Sequence, residues 1–169
     1  AVDLLHSKTD HYIFISTGQV YLVRQGIQRP FREADYDGDL IPEPPLNTYD
    51  HEEWAYGHQK RRTEEVLSHA FAQRGFPFTS LRLPMVNSER DPFNRLYSYI
   101  LRIKDNGPIL VPDAPDHELR HVYAGDVVRA IMLLIDGGVG KGRVFNLSQA
   151  ETLSIQDFLA LLGELVGIE

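Results

Sequence analysis

Tyr12-Ile13-Phe14-Ile15-Ser16-Thr17-Gly18 is the stretch on which the architecture turns. Four successive β-favouring apolar residues without polar alternation predict a parallel strand buried on both faces. Ser16 and Thr17 stand at its C-terminal end, and Gly18 permits a turn. Open α/β sheets collect their ligands beyond the carboxyl ends of their strands, so two hydroxyls at that end are candidate site groups. Downstream, a helical pattern runs from about Glu52 to Arg74. On it Tyr56, Lys60, Glu64 and Leu67 share one face, with Val66, Ala70 and Phe71 as apolar surface beside it. Gly75 suits the left-handed residue that closes a helix.

Outward from this pair, strands and helices alternate. Phe78 to Leu83 reads as a strand stopped by Pro84. Asn94 to Lys104 reads as a helix closed by Asn106-Gly107-Pro108. Ile109-Leu110-Val111 and Leu119 to Tyr123 read as short strands. Asp126 opens a helix to about Ile135, with Val127, Ala130, Ile131 and Leu134 as its stripe. Arg143 to Leu147 reads as a strand. Thr152 or Ser154 can cap a last helix on which Ile155, Phe158, Leu159, Leu162 and Val166 follow a 3.6-residue period. Residues 24–50, rich in Pro, Gly and acids, form a long loop, and such loops in compact domains are often functional. A second acidic, Pro-rich loop spans Pro112 to Glu118. The alternation predicts an α/β fold: part of a doubly wound, mostly parallel sheet, with a small α/β region attached.

The 169 residues suffice for one ordinary domain with a real core. A net charge of −7 and the lack of a long basic run disfavour nucleic acid and anionic membrane as partners. Without cysteine there is no disulfide framework and no thiolate chemistry. No apolar run approaches the roughly 20 residues of a membrane span. Ala1 to His6 lacks the features of a signal peptide and reads as the tail of a helix. A soluble, cytoplasmic protein is the expectation.

Tyr56-Gly57-His58-Gln59-Lys60 places a phenol and an ammonium one helical turn apart. A free tyrosine, with a pKa near 10, is a poor base at neutral pH. A neighbouring ammonium stabilises the phenolate and makes it a better one. A strand-end hydroxyl and a Tyr-x-x-x-Lys helix can together move a proton beside a nicotinamide ring. Either element alone is as compatible with an amphipathic helix or a strand-ending turn.

Taken together the segments resemble the extended short-chain dehydrogenase/reductase family, the NAD-dependent epimerase/dehydratase group. Ile15-Ser16-Thr17-Gly18-Gln19-Val20-Tyr21 resembles its Ser-Ser/Thr-x-x-Val-Tyr segment, and Tyr56 to Lys60 its Tyr-x-x-x-Lys motif with a following Glu64. Leu81-Arg82-Leu83-Pro84-Met85-Val86, His121 to Val127 and Gly142 to Leu147 are similar to three further family segments. The resemblance implies a Rossmann-like fold using NAD or NADP. Tyr56 would be the acid/base, Lys60 its partner and ribose contact, and Thr17 the assisting hydroxyl. Ser16, Tyr56, Lys60, Pro84 and Val86 would face the cofactor, and Gln19, Asn87 and Arg120 the substrate. Residues 1–83 would be a remnant of the dinucleotide-binding domain. Residues 84–169 would be mostly substrate-binding, with some elements returning to the first sheet. The partner would be a nucleotide-sugar-like small molecule, and the complete protein a homodimer.

The departures narrow this expectation. Gly18 and Gln19 replace the Asp-Glu that family dehydratases use for elimination, which directs the reading toward epimerase or reductase chemistry. Leu22 stands where a Gly commonly follows Val-Tyr, and Arg120 is one position out of register with the family's phosphate-contacting Arg. No glycine-rich strand–loop–helix is present, so the chain reads as a C-terminal portion lacking the cofactor-binding half and inactive alone. The competing expectation is a non-catalytic, atypical family member acting as a cofactor-sensing regulator or RNA-associated protein. Gly137 to Gly142 lacks the glycine and hydroxyl spacing of a phosphate loop and reads as a connector. Asp35 to Asp39 lacks the spacing of a calcium loop, the seven histidines form no ligand motif, and no metal is expected.

Overall fold

The computed structural model describes residues 2–112 and 118–167. Most of the acidic loop expected over Pro112 to Glu118 lies outside the described residues. The chain divides into two compact units: residues up to Pro84 with Val128–Leu147, and Met85–Val127 with the residues from Ser148 on.

The first unit is built on a parallel three-stranded sheet, β1 (Tyr12–Thr17), β2 (Phe78–Leu83) and β5 (Arg143–Asn146), in the order β1-β2-β5. Tyr12 aligns with Phe78 and Thr17 with Leu83; Thr79 aligns with Arg143 on the other side. All six residues of the central β2 are buried. Helix α3 (Tyr49–Arg74) starts at Thr48, whose hydroxyl accepts the His51 N–H at 3.1 Å. It stops at Gly75, whose φ of 68° is the left-handed turn glycine adopts without Cβ strain. The core lies where the C-terminal half of α3 meets the sheet: Leu67, Ala70, Phe76 and Phe78, joined by Val2 of α1 (Val2–Leu5). Each large side chain buried there contributes about 1.5–3 kcal/mol.

The edge position of β1 changes the reading of its apolar run. Tyr12 N–H donates to Pro77 O and Gly18 N–H to Leu83 O, so the even-numbered peptide groups face β2. Those of Ile13, Ile15 and Thr17 face the other edge, where no strand pairs among the described residues. Ile15 is 39% exposed rather than buried on both faces. Val66 also points outward, because the buried face of α3 runs through Gly57, Arg61, Glu64, Leu67 and Ala70; Phe71, partly exposed, lays its ring edge-on against Phe78 at 6.2 Å. Two short elements follow β1: the one-turn helix α2 (Gln19–Leu22) and a 3-10 turn at Glu33–Tyr36. Gly140 and Gly142 have positive φ and close the connection into β5. Thr79 Oγ1 donates to Gly140 O at 2.7 Å, and Gly142 N–H donates to Phe78 O at 2.6 Å.

In the second unit β3 (Met85–Asn87) pairs in parallel with β4 (His121–Tyr123). Helices α4 (Arg95–Lys104) and α6 (Ile155–Val166) pack through Tyr99 and Phe158, whose rings meet edge-on at 6.0 Å. Of the two candidate caps, Ser154 is used: its Oγ accepts the Asp157 N–H at 3.0 Å. Ile109 to Val111 is not a strand; Leu110 is 95% exposed in an irregular segment that pairs with no strand among the described residues. Leu119 forms only an isolated antiparallel bridge with Leu153, and β4 begins at His121. Helix α5 (Ala124–Gly137) starts two residues before Asp126 and carries the chain from this unit back to the first. Among the described residues no helix is long and apolar enough to cross a membrane.

Candidate active site

Thr17 is the last residue of β1, and its hydroxyl is held from behind. Gln19 N–H donates to Thr17 Oγ1 at 3.2 Å, which leaves the hydroxyl proton to be donated forward. The backbone of α2 then presses on α3 at Gly57. A Cβ there would lie 2.7 Å from Gln19 O, so only glycine admits this approach. Tyr56 and Lys60 flank that contact along α3.

Lys60 reaches across to β1. Its Nζ donates to Ile15 O at 2.8 Å and lies 4.8 Å from the centre of the Phe14 ring and 5.7 Å from that of Tyr56. An ammonium has three N–H groups, and Ile15 takes one. Burial pushes the Lys60 pKa down, with the Glu64 carboxylate acting in the opposite direction. Tyr56 is 47% exposed, so its phenol is open to a reactant. The fold thus brings Lys60 to the strand that ends in Thr17, and sets Tyr56 beside Lys60.

The other expected site residues divide between the units. Ser16 is buried beneath Thr17, and its Oγ finds no hydrogen-bond partner among the described residues. Gln19 Nε2 donates to Glu53 Oε2 at 3.0 Å, one turn ahead of Tyr56. Pro84 directly follows β2, whose Leu83 aligns with Thr17. Val86 and Asn87 are in β3 and align with Val122 and Tyr123, and Arg120 is exposed just ahead of β4. These last three belong to the second unit.

A buried polar network under the site was absent from the sequence reading. Glu64 takes Arg82 in a two-pronged pair, with Nη2 to Oε2 at 2.6 Å and both side chains 3% exposed. It also accepts Ser80 Oγ–H at 2.9 Å. Arg82 Nη1 donates to Tyr21 Oη at 2.6 Å, and Tyr21 donates to Asn146 Oδ1 at 2.7 Å. Arg61 donates to Val20 O and Tyr36 O and lies 3.7 Å from the centre of the Tyr36 ring. Burial opposes the Arg82 charge, but the bonds and charge of Glu64 outweigh it and raise the guanidinium pKa. Burial also raises the Tyr21 phenol pKa against the pull of Arg82, which keeps Tyr21 a neutral donor. The available signal was Ser80 and Arg82 inside a strand flanked by apolar residues and a glutamate one turn beyond Lys60. Among the described residues no three His, Asp or Glu side chains gather as a metal site would require.

The profile of the NAD dependent epimerase/dehydratase family matches residues 2–148. The chain belongs to that family. No curated protein sequence matches it. UDP-glucose 4-epimerase from Thermotoga maritima, solved with UDP-glucose, aligns with a TM-score of 0.70 at 24% identity, over 96% of this chain and 49% of its own. The Bordetella bronchiseptica enzyme WbmH, in complex with NAD+, aligns with a TM-score of 0.64 at 19% identity, over 99% and 49%. RMD from Pseudomonas aeruginosa, complexed with NADPH, aligns with a TM-score of 0.63 at 19% identity, over 94% and 52%. The family member described here spans about half the length of these structures and shares their α/β fold.

Of the residues expected to face a nicotinamide ribose, Lys60 has two N–H groups beyond its Ile15 bond and Tyr56 is exposed, whereas the Ser16 Oγ is buried. The Gly137–Gly142 segment offers no cradle for a pyrophosphate. Leu134 and Phe145 fill the space beside Gly140, and the Phe71 ring fills that beside Gly142.

Proposed function

We propose that this chain carries the proton-transfer residues of an NAD(P)-dependent epimerase or reductase acting on a nucleotide sugar or a similarly hydroxylated substrate. The observation that supports it is the reach of Lys60 from α3 to Ile15 O, which sets the Tyr56–Lys60 pair against the strand ending in Thr17. When bound, NAD(P) supplies hydride acceptance and donation. Tyr56 takes the proton of a substrate hydroxyl or returns it to a carbonyl. Lys60 sets its ammonium 5.7 Å from the centre of the phenol ring. Thr17, with its oxygen already holding the Gln19 N–H, donates its own proton to the substrate oxygen and orients it. Lys60 holds the ribose through its two remaining N–H groups. Gly18 brings no side chain to the strand end, and the Gln19 amide is bonded to Glu53, which favours epimerase or reductase chemistry over dehydration.

The test is Tyr56→Phe in the cofactor-loaded enzyme, assayed with NAD and NADP against a panel of nucleotide sugars. Turnover is expected to fall about 10²–10⁴-fold while the cofactor still binds. Turnover equal to the parent's would overturn the assignment. For the chain by itself, with no glycine cradle among its described residues, calorimetric titration with NAD is expected to show no tight binding; a tight isotherm would refute that part.

A further inference from the structure

We propose that Glu64 is a positioning residue: through Arg82 and Tyr21 it locks the helix bearing Tyr56 and Lys60 to the short helix that follows Thr17. The inference rests on the assignment of Thr17, Tyr56 and Lys60 as the proton-transfer set.

The lock is a chain of hydrogen bonds in which each link has one direction. Glu64, one turn beyond Lys60, accepts from Ser80 Oγ, Arg82 Nε and Arg82 Nη2. Arg82 Nη1 lies on the other side of the guanidinium and donates to Tyr21 Oη. Tyr21 has a single proton, and it goes to Asn146 Oδ1. Asn146 Nδ2 donates onward to Phe31 O at 3.1 Å. Four elements are joined: α3 through Glu64, β2 through Ser80 and Arg82, α2 through Tyr21, and β5 through Asn146. A parallel tie runs from Arg61, the residue after Lys60, to Val20 O at 2.9 Å. Both ties end on α2, whose first residue holds the Thr17 hydroxyl by its backbone N–H.

The simpler reading is a stabilising ion pair, and its energetics argue against that as the whole role. Both partners lose their hydration, and the mutual attraction of such a pair rarely exceeds what apolar residues of the same volume would contribute. What an apolar replacement cannot supply is direction. Leu and Met in place of Glu64 and Arg82 would fill the space without fixing the angle between α2 and α3. Proton transfer is sensitive to displacements of about an ångström, so direction is the property with a functional consequence.

The experiment uses methyl-labelled Thr17 and the ε-carbon of Lys60 as NMR reporters in the chain as it stands, without substrate. Three variants are compared. Tyr21→Phe removes the link from Arg82 to α2 and leaves the Glu64–Arg82 pair. Glu64→Gln removes the charge at the root of the lock. Phe76→Leu opens a cavity in the apolar core beyond the C-terminal end of α3 and serves as the structural control. Tyr21→Phe is expected to shift and broaden the Thr17 methyl signal. Glu64→Gln is expected to do the same and to move the Lys60 titration to lower pH, while Phe76→Leu leaves both reporters near their parental values. Unchanged reporters in Tyr21→Phe would overturn the proposal, as would equal changes in Phe76→Leu. Should Glu64→Gln fail to fold, Tyr21→Phe against Phe76→Leu decides alone. These signals are read without turnover, so their outcome is independent of whether Tyr56→Phe abolishes activity.

Discussion

Along α3, Arg61 and Glu64 are exposed to 5% and 2%, the same values as Ala70 and Leu67 one to two turns later. The two halves of the helix are equally dry but are held by different physics. The C-terminal half packs Leu67 and Ala70 against Phe76 and Phe78, a non-directional contact proportional to area. The N-terminal half carries charges that are tolerable only because each finds a partner at a defined angle. Area tolerates small slips of one element past another, whereas a two-pronged carboxylate–guanidinium pair does not. The half that needs direction is the half that bears Tyr56 and Lys60.

That contrast can be broken by substitution. Glu64→Gln or Arg82→Met leaves a buried charge without its partner and is expected to cost roughly 3–5 kcal/mol, read from urea unfolding. The double change Glu64→Leu with Arg82→Met is expected to recover most of that loss; if it is as unstable as the single changes, the two halves do not differ as described. Next in size is Gly57→Ala. Its new methyl meets the backbone oxygen of Gln19, so a loss of about 1–3 kcal/mol is expected, despite alanine's better helix propensity. A stabilised Gly57→Ala would show that α2 does not press on α3. Thr48→Ala removes the cap of the polar half and is expected to cost about 1 kcal/mol in thermal unfolding.

The smallest effect concerns pH and compares the two units. His11 and His121 both have pKa values below the ordinary 6.5, chiefly through burial, with Lys141 adding to the first and Arg95 to the second. Thr79 donates to Gly140 O, so its oxygen accepts from His11 Nε2, a bond either protonation state of the ring can make; burial and Lys141 are what disfavour the charged ring. The unfolded chain takes up these protons near pH 6.5, while the folded chain resists until lower pH. The stability from neutral rings is therefore present above pH 6.5 and is lost as pH falls below it. Midpoints of urea unfolding that rise between pH 7 and pH 5.5 would contradict this. A separate loss is expected between pH 4 and 2 from Asp91, which hydrogen bonds from Arg95 hold down to about 2.

The alternation of strand and helix was legible because each element carries a local signal. Tyr12 to Ile15 is apolar and β-rich, and the α6 stripe repeats at 3.6 residues. Gly75 and Ser154 are terminators that act on their own neighbours, whereas Thr48, whose cap starts α3 at Tyr49, three residues ahead of the expected Glu52, went unread. Elsewhere, where the reading failed, the deciding partner was remote. Ile15 stands on a strand whose second edge has no partner among the described residues, and Ile109 to Val111 finds no ladder partner among them. A hydrophobic stripe could not locate the buried face of α3, since Gly57, Arg61 and Glu64 form half of it.

By itself the sequence determined the class of fold, the family, and the spacing that puts Tyr56 and Lys60 on one helical face, since these depend on local propensity and on the 3.6-residue period. The tertiary structure alone decided that Lys60 reaches Ile15, that Gly57 admits Gln19, and that Glu64, Arg82, Tyr21 and Asn146 join into one chain of bonds. Those links join residues 16 to 125 positions apart, and a hydrogen bond depends on distance and angle in space, neither of which is written along the chain.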